Sequence, residues 1–165
     1  ATVVGAGTYT TSVSGSTITY NREILPMKNV PVMRLSDEEQ SRCVGGDDSF
    51  LEEKIRWFCQ QNDTEKMIIS MRGSTNPSYD DIKNLARCIA FAADKVLEKD
   101  IPVLIVVECD MAKVLGQAVR NILGNKRSVV SIDSIKAELN DYVDLGTPLM
   151  NGLVIPVVVK TLIFG

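Results

Sequence analysis

Between residues 67 and 133, three short apolar runs alternate with two long stretches of helical periodicity, and this alternation constrains the fold more than any other feature of the chain. Met67-Ile68-Ile69-Ser70-Met71 has the length of a strand covered on both faces. Ser78 with Asp81 starts a long stretch in which Ile82, Leu85, Ala86, Ile89, Ala93, Val96 and Leu97 recur at helical spacing to Lys99. Ile101 to Val107 is a second apolar strand, interrupted only by the backbone of Pro102. Asp110 stands where a helix carrying Met111, Leu115, Ala118, Val119 and Ile122 is capped, Gly124 ends that helix, and Val129-Val130-Ser131-Ile132-Asp133 is the third strand. The order β-α-β-α-β predicts parallel pairing through right-handed crossovers, and so an α/β fold on a mixed sheet. It also predicts that the carboxyl ends of the three strands share one edge.

The flanks read less sharply. Residues 1–20 are rich in threonine and serine on either side of Ser14-Gly15-Ser16, which predicts two strands joined in a β-hairpin. From Asn21 to Gly46, Pro26, Pro31 and Gly45-Gly46 punctuate short extended pieces, of which Val30 to Leu35 is the best. Ser49 with Glu52 forms a capping-box pattern, opening a helix to about Gln61 with Leu51, Ile55 and Phe58 on one face and Trp57 assigned to the core. Asp141 to Gly146 reads as a turn and short strand, and Val154 to Phe164 as a final strand apolar on both faces. Lys160 within it must pair with a carboxylate or snorkel outward, and snorkelling is expected. The 165 residues suit one domain, divided into a hairpin-and-extended segment, 1–46, and an α/β core, 47–165. The opening Ala1-Thr2-Val3-Val4, without methionine, suggests a piece cut from a longer polypeptide.

Composition removes several chemistries. Without histidine there is no Ser-His-Asp or Cys-His nucleophile pair and no histidine-ligated zinc. Eighteen Lys and Arg against 21 Asp and Glu leave a net charge of −3. No general basic field attracts nucleic acid or an anionic membrane, and neither is expected as a partner. The longest apolar run, Leu153 to Phe164, holds Pro156 and Lys160 and falls short of the roughly 20 residues of a membrane helix. Cys43, Cys59, Cys88 and Cys109 form no CxxC pair and are expected as reduced thiols, with Cys88 and Cys109 buried.

Ligands of open α/β sheets collect outside the carboxyl ends of the strands. Those ends are Arg72-Gly73-Ser74-Thr75-Asn76, Glu108-Cys109-Asp110 and Ser131-Ile132-Asp133-Ser134. One reading makes them a phosphate or Mg²⁺-water site, with Arg72 and the hydroxyls of Ser74 and Thr75 on phosphate oxygens and Asp110 in the metal shell. The other makes Asp110 a helix cap and Ser74 and Thr75 turn residues. Val4-Gly5-Ala6-Gly7-Thr8 could approach a phosphate closely, but it is neither a GxGxxG fingerprint nor a GxxxxGK[ST] loop, and a glycine bulge explains it as well. Asp133, Asp141 and Asp144 form either a carboxylate cluster or, as expected for turn residues, a solvated face.

Three stretches resemble a known family as a set: Ala1-Thr2-Val3-Val4-Gly5-Ala6-Gly7-Thr8 through Ser14-Gly15-Ser16-Thr17-Ile18; Leu25-Pro26-Met27-Lys28-Asn29-Val30-Pro31-Val32; and Asp141-Tyr142-Val143-Asp144-Leu145-Gly146 through Ile163-Phe164. Together with Val106 to Ala118 they look like the C-terminal part of the EutA family, the ethanolamine ammonia-lyase reactivating factors, across nearly the whole chain. The resemblance implies a chaperone-like, ATP-dependent protein of the actin/Hsp70 ATPase superfamily that exchanges damaged cobalamin out of ethanolamine ammonia-lyase. It implies ATP and Mg²⁺ as cofactors of the full-length protein, the lyase as partner, and a cytoplasmic setting, with association with a bacterial microcompartment left open. Gly5, Gly7 and Thr8 are the local candidates for nucleotide contact. The family's glycine- and threonine-rich phosphate loop has no counterpart here, so this chain alone is expected not to turn over ATP. A self-contained phosphate-binding α/β enzyme using Arg72, Ser74 and Asp110, and a structural protein-interaction domain, are the alternatives.

Overall fold

A computed structural model describes residues 2–3, 9–14, 17–19, 24–149, 154–161 and 163–164. Their order is β1 (Thr2–Val3), β2 (Tyr9–Ser14), β3 (Thr17–Thr19), β4 (Met27–Arg34), α1 (Asp37–Val44), α2 (Leu51–Gln61), β5 (Ile68–Met71), α3 (Tyr79–Val96), β6 (Val103–Val107), α4 (Ala112–Leu123), β7 (Val129–Ile132), β8 (Tyr142–Leu145), β9 (Val154–Lys160) and β10 (Ile163–Phe164). The α/β fold with its central β-α-β-α-β unit is present, and β5, β6 and β7 pair in parallel as expected. The unit extends one strand further, because β4 pairs in parallel with β5.

The four parallel strands lie in the order β4-β5-β6-β7, the order in which the chain makes them. Successive right-handed crossovers in one direction put every helix on the same face. That face carries the larger core, in which Met33, Leu35, Ile69, Met71, Ile105 and Val107 pack against Leu51 and Ile55 of α2, Leu85 and Ile89 of α3, and Leu115 and Val119 of α4. Among the described residues no helix covers the other face, and the sheet curls and covers itself. β8 pairs antiparallel with β4, β9 with β8, and β2 with β9. Val143, Leu145, Ile155, Val157 and Val159 thereby face Val30, Val32, Ile68, Leu104, Val106 and Val130 across a second, helix-free core.

Closure corrects the expected hairpin. β2 pairs with β9 at one end of the sheet order, and β3 pairs with β7 at the other. Both run opposite to β4, so they share one sense where a hairpin would reverse it. Only two residues separate Ser14 from Thr17, so the two outer edges approach within about 11 Å. A turn signal reports that the chain bends; it does not report which strand each arm will find.

Smaller corrections follow from packing. Within the extended segment, residues 37–44 form α1, opened by a capping box in which Ser36 accepts from the Glu39 amide and Glu39 accepts from the Ser36 amide. Ser49 does not cap α2: its hydroxyl donates to Asp47, and the residue before the helix is Phe50. Leu51, Ile55 and Phe58 are buried as expected, but Trp57 is 62% exposed. β9 is buried on alternate residues only. Lys160 is held rather than snorkelling, with Nζ 2.7 Å from an Asp144 carboxylate oxygen and 2.9 Å from Asn29 Oδ1. Cys43 and Cys88 form a disulfide joining α1 to α3, while Cys59 and Cys109 are free and half-buried. The expectation of four thiols therefore fails for that pair, and the burial expected of Cys109 fails too. Among the described residues, no helix is long and apolar enough to cross a membrane.

Candidate functional site

Four parallel strands deliver Arg34, Arg72, Glu108 and Asp133 to one edge of the sheet. The edge has two halves, one over the strand-lined core and one on the helix side.

Over the strand-lined core the edge is closed. Arg34 reaches Glu108 at 2.5 Å, the Ser70 hydroxyl at 3.2 Å and the Ala137 carbonyl at 3.3 Å. The buried Ser70 hydroxyl itself donates to the Ala137 carbonyl at 2.6 Å. Residues 133–141 cross the opening as a plug: Ile135 donates to the Val107 carbonyl, and the Asp141 carbonyl accepts from Val32. Ile135 and Ala137 drop into the core, and Ser134 and Asn140, near the ends of the segment, both take positive φ.

On the helix side the loops after β5 and β6 touch. The Cys109 amide donates to the Arg72 carbonyl, and Gly73 takes φ +80° with so little space that a Cβ would lie 2.9 Å from Met111 Sδ. A side chain there is strained by the backbone and must displace Met111. This contact ties the loop carrying Arg72 and Ser74 to the one carrying Asp110. Arg72 is exposed and 3.3 Å from Asp37 of α1. Ser74 and Thr75 are exposed, and Ser74 borders a ≈ 200 Å³ cleft between α1 and α3 with Gln40, Ser41, Asp81 and Met111. Asp110 does not open α4 as its cap; Met111 holds that position without a side-chain hydrogen bond. Asp110 instead shares a hydrogen bond with Asp133, whose carboxyl is pushed above its ordinary value by burial first, then by Asp110, against the opposing Ala112 amide.

Asp133, Asp141 and Asp144 are neither a cluster nor a solvated face. Asp141 is buried and accepts from the Glu138 amide and the Thr161 hydroxyl, and Asp144 binds Lys160. Among the described residues no three carboxylates or thiols gather to hold a metal ion. Gly5, Gly7 and Thr8 lie outside the described residues. A hollow of ≈ 680 Å³ sits at the opposite edge beside Arg56, Cys59 and Lys95. Burial raises the Cys59 thiol there, which keeps it protonated and a poor nucleophile.

A phosphate cradle uses loop amides that point at the ligand. Here the Gly73 amide already donates to Gln40 Oε1 at 3.0 Å and the Ser74 amide to Met111 Sδ at 3.2 Å. The loop therefore suits contact with an anion through the side chains of Arg72, Ser74 and Thr75, and does not suit an enclosed nucleotide cradle. Sequence reasoning missed Arg34, Ser70 and Gln40. Arg34 ends an apolar strand and Glu108 ends another, and a charge at that position on neighbouring parallel strands is the signal that could have found the pair.

The family model of "Ethanolamine utilisation protein EutA" matches residues 1–165, the whole chain. The chain belongs to the EutA family. It is 34% identical over 169 residues to the ethanolamine ammonia-lyase reactivase EutA of Salmonella typhimurium and 31% identical over 164 residues to that of Escherichia coli K12. Each match covers 99% of this chain and 33% of the relative, so the chain spans about a third of the length of these curated EutA proteins. No solved structure matches it.

Proposed function

We propose that this chain is the C-terminal module of an ethanolamine ammonia-lyase reactivating factor, a chaperone-like, ATP-dependent protein of the actin/Hsp70 type that exchanges damaged cobalamin out of the lyase. The match to the EutA family over all 165 residues carries this reading. The filled, plugged core supports a rigid module acting on a partner protein over a self-contained phosphate-binding enzyme. In the full-length protein, ATP with Mg²⁺ supplies the energy that biases one conformation over another. Arg72, Ser74 and Thr75 offer surface donors to phosphate oxygens, Asp110 offers a carboxylate to the hydration shell of Mg²⁺, and Gly5, Gly7 and Thr8 are the further candidates for nucleotide contact.

The test uses the full-length protein. Ethanolamine ammonia-lyase inactivated with a damaged cobalamin is incubated with that protein, adenosylcobalamin, ATP and Mg²⁺, and ammonia release is followed. Recovery of activity that requires ATP supports the proposal, and no recovery with intact lyase sinks it. Arg72→Ala and Asp110→Asn then separate the parts: lost ATP dependence assigns the carboxyl-edge loops to nucleotide, and unchanged ATP dependence removes them from it.

A further inference from the structure

Helix α1 is attached to the body in an unusual way. Of its eight residues only Cys43 is buried, and that one side chain is bonded to Cys88 of α3. The other ties are polar or peripheral. Lys54 of α2 bridges to Glu39 at 2.7 Å, Asn84 of α3 donates to the Val44 carbonyl at 2.9 Å, and half-buried Val44 rests on the core edge. From its exposed side α1 holds the loop after β5 twice, through Asp37 on Arg72 and through Gln40 on the Gly73 amide. The ≈ 200 Å³ cleft lies between α1 and α3, beside that same loop.

We propose that the Cys43–Cys88 bond is a redox-controlled tether that sets whether α1 stays docked and whether the loop 72–75 stays fixed. Intact, the bond holds α1 against α3 and Gln40 against Gly73. Both cysteines are almost wholly buried, at 0% and 1% exposure, so attack requires a brief local opening of α1 about its tether, short of the undocking that follows reduction. A thioredoxin-class dithiol then attacks one sulfur as its thiolate, forming a mixed disulfide and releasing the other cysteine. The second thiol of the reductant resolves it, so two electrons and two protons end on Cys43 and Cys88 and the reductant leaves as a disulfide. With the tether gone, α1 keeps its polar ties and the edge contact of Val44, and the loop loses the fixed partner of its Gly73 amide. A disulfide-forming oxidant such as oxidised glutathione reverses the change. The inference holds whether or not the loop takes an anion, because its readouts are thiol state and amide exchange.

Full-chain protein is oxidised with diamide, and one half is then reduced with dithiothreitol; amide hydrogen exchange is followed in both. Reduction is expected to speed exchange of residues 38–44 and of Gly73 at least tenfold and to leave Ile105 and Val106 of β6 unchanged. Cys43→Ala is expected to show the fast exchange without reductant and no further response to it, whereas Cys59→Ala behaves as the parent. Two free thiols in the denatured oxidised protein and four in the reduced one complete the expected set. Unchanged α1 exchange on reduction overturns the proposal, as do four free thiols after diamide. So does a rise in β6 exchange in step with α1, which makes the bond a staple of the whole fold.

Discussion

On its helix-covered face the parallel sheet meets Met33, Leu35, Met71, Leu85 and Leu115 together with the small residues Ala86, Ala90 and Ala93, which let α3 approach closely. On its other face it meets mostly β-branched residues, Val30, Val32, Ile68, Val106 and Val130, opposed by Val143, Ile155, Val157 and Val159. Stiff side chains on paired strands fill a space whose walls are hydrogen-bonded backbone. Helices slide by fractions of an ångström, whereas strands locked in a ladder do not. The strand-lined side is thus a scaffold, closed at its carboxyl edge by the plug, and the helix side is where adjustment is available.

Neighbouring residues of β5 test that contrast most strongly. Ile68 points into the strand-lined core and Ile69 into the helix-covered one, and each is almost fully buried. Truncation to alanine is expected to lower the unfolding free energy in denaturant by about 2–5 kcal/mol, with Ile68→Ala at the upper end because its surroundings collapse least. Equal losses would remove the distinction.

Next in size is Arg34→Ala, which leaves Glu108 without its cation and the plug without one of its ties. A loss of about 1–3 kcal/mol is expected. Faster amide exchange should be confined to residues 133–141; exchange spread evenly over the fold would mean that the plug is not a separate unit.

A smaller effect of opposite sign is expected at the junction of plug and α4. Burial and Asp110 raise the Asp133 carboxyl. An acid raised in the folded state binds its proton more tightly there. Its contribution is therefore full below the unfolded value and lost as pH rises through the raised one. Asp133→Asn is expected to stabilise the protein at pH 7 and to lose that advantage in acid, as read from melting temperature against pH.

The smallest effect belongs to the α1–α2 contact. Burial raises the Glu39 carboxyl, but Lys54 and the Ser36 amide outweigh it, so the net displacement is downward. Its stabilisation is present above the unfolded value and fades as pH falls through the depressed folded one. Lys54→Ala should cost less than about 1 kcal/mol in urea at pH 7. A larger loss would place more of the docking of α1 on this pair than on its tether.

The parts that were legible are those whose signals are local. Apolar runs and helical spacing located β5, β6, β7, α2, α3 and α4, and parallel pairing followed from their order. Helix α1 carries a capping box in Ser36 and Glu39, but with only Cys43 buried it shows no apolar stripe, so periodicity passes over it. Partnerships across long separations left no trace. Nothing between Cys43 and Cys88 encodes their meeting, and nothing in residues 9–19 says that β2 and β3 belong to opposite ends of the sheet. At the candidate site, Arg72, Ser74 and Asp110 follow from topology because strand ends share an edge. The engagement of the Gly73 and Ser74 amides depends on Gln40 and Met111, which come from other elements and carry no motif.

The pairing of β2 with β9 also has a bearing on how the molecule assembles. Tyr9 finds Val159 and Ser14 finds Val154, across almost the full length of the chain. The β-α-β units between them join neighbours in sequence and can form early, while pairings of such range must wait until the entropy of ordering the intervening chain has been met. During synthesis, residues 9–14 leave the ribosome well before their partner exists. An antiparallel edge left open in that interval can pair with another chain. Assembly thus has its most exposed moment at the closing seam, where the first part of the sequence waits for the last.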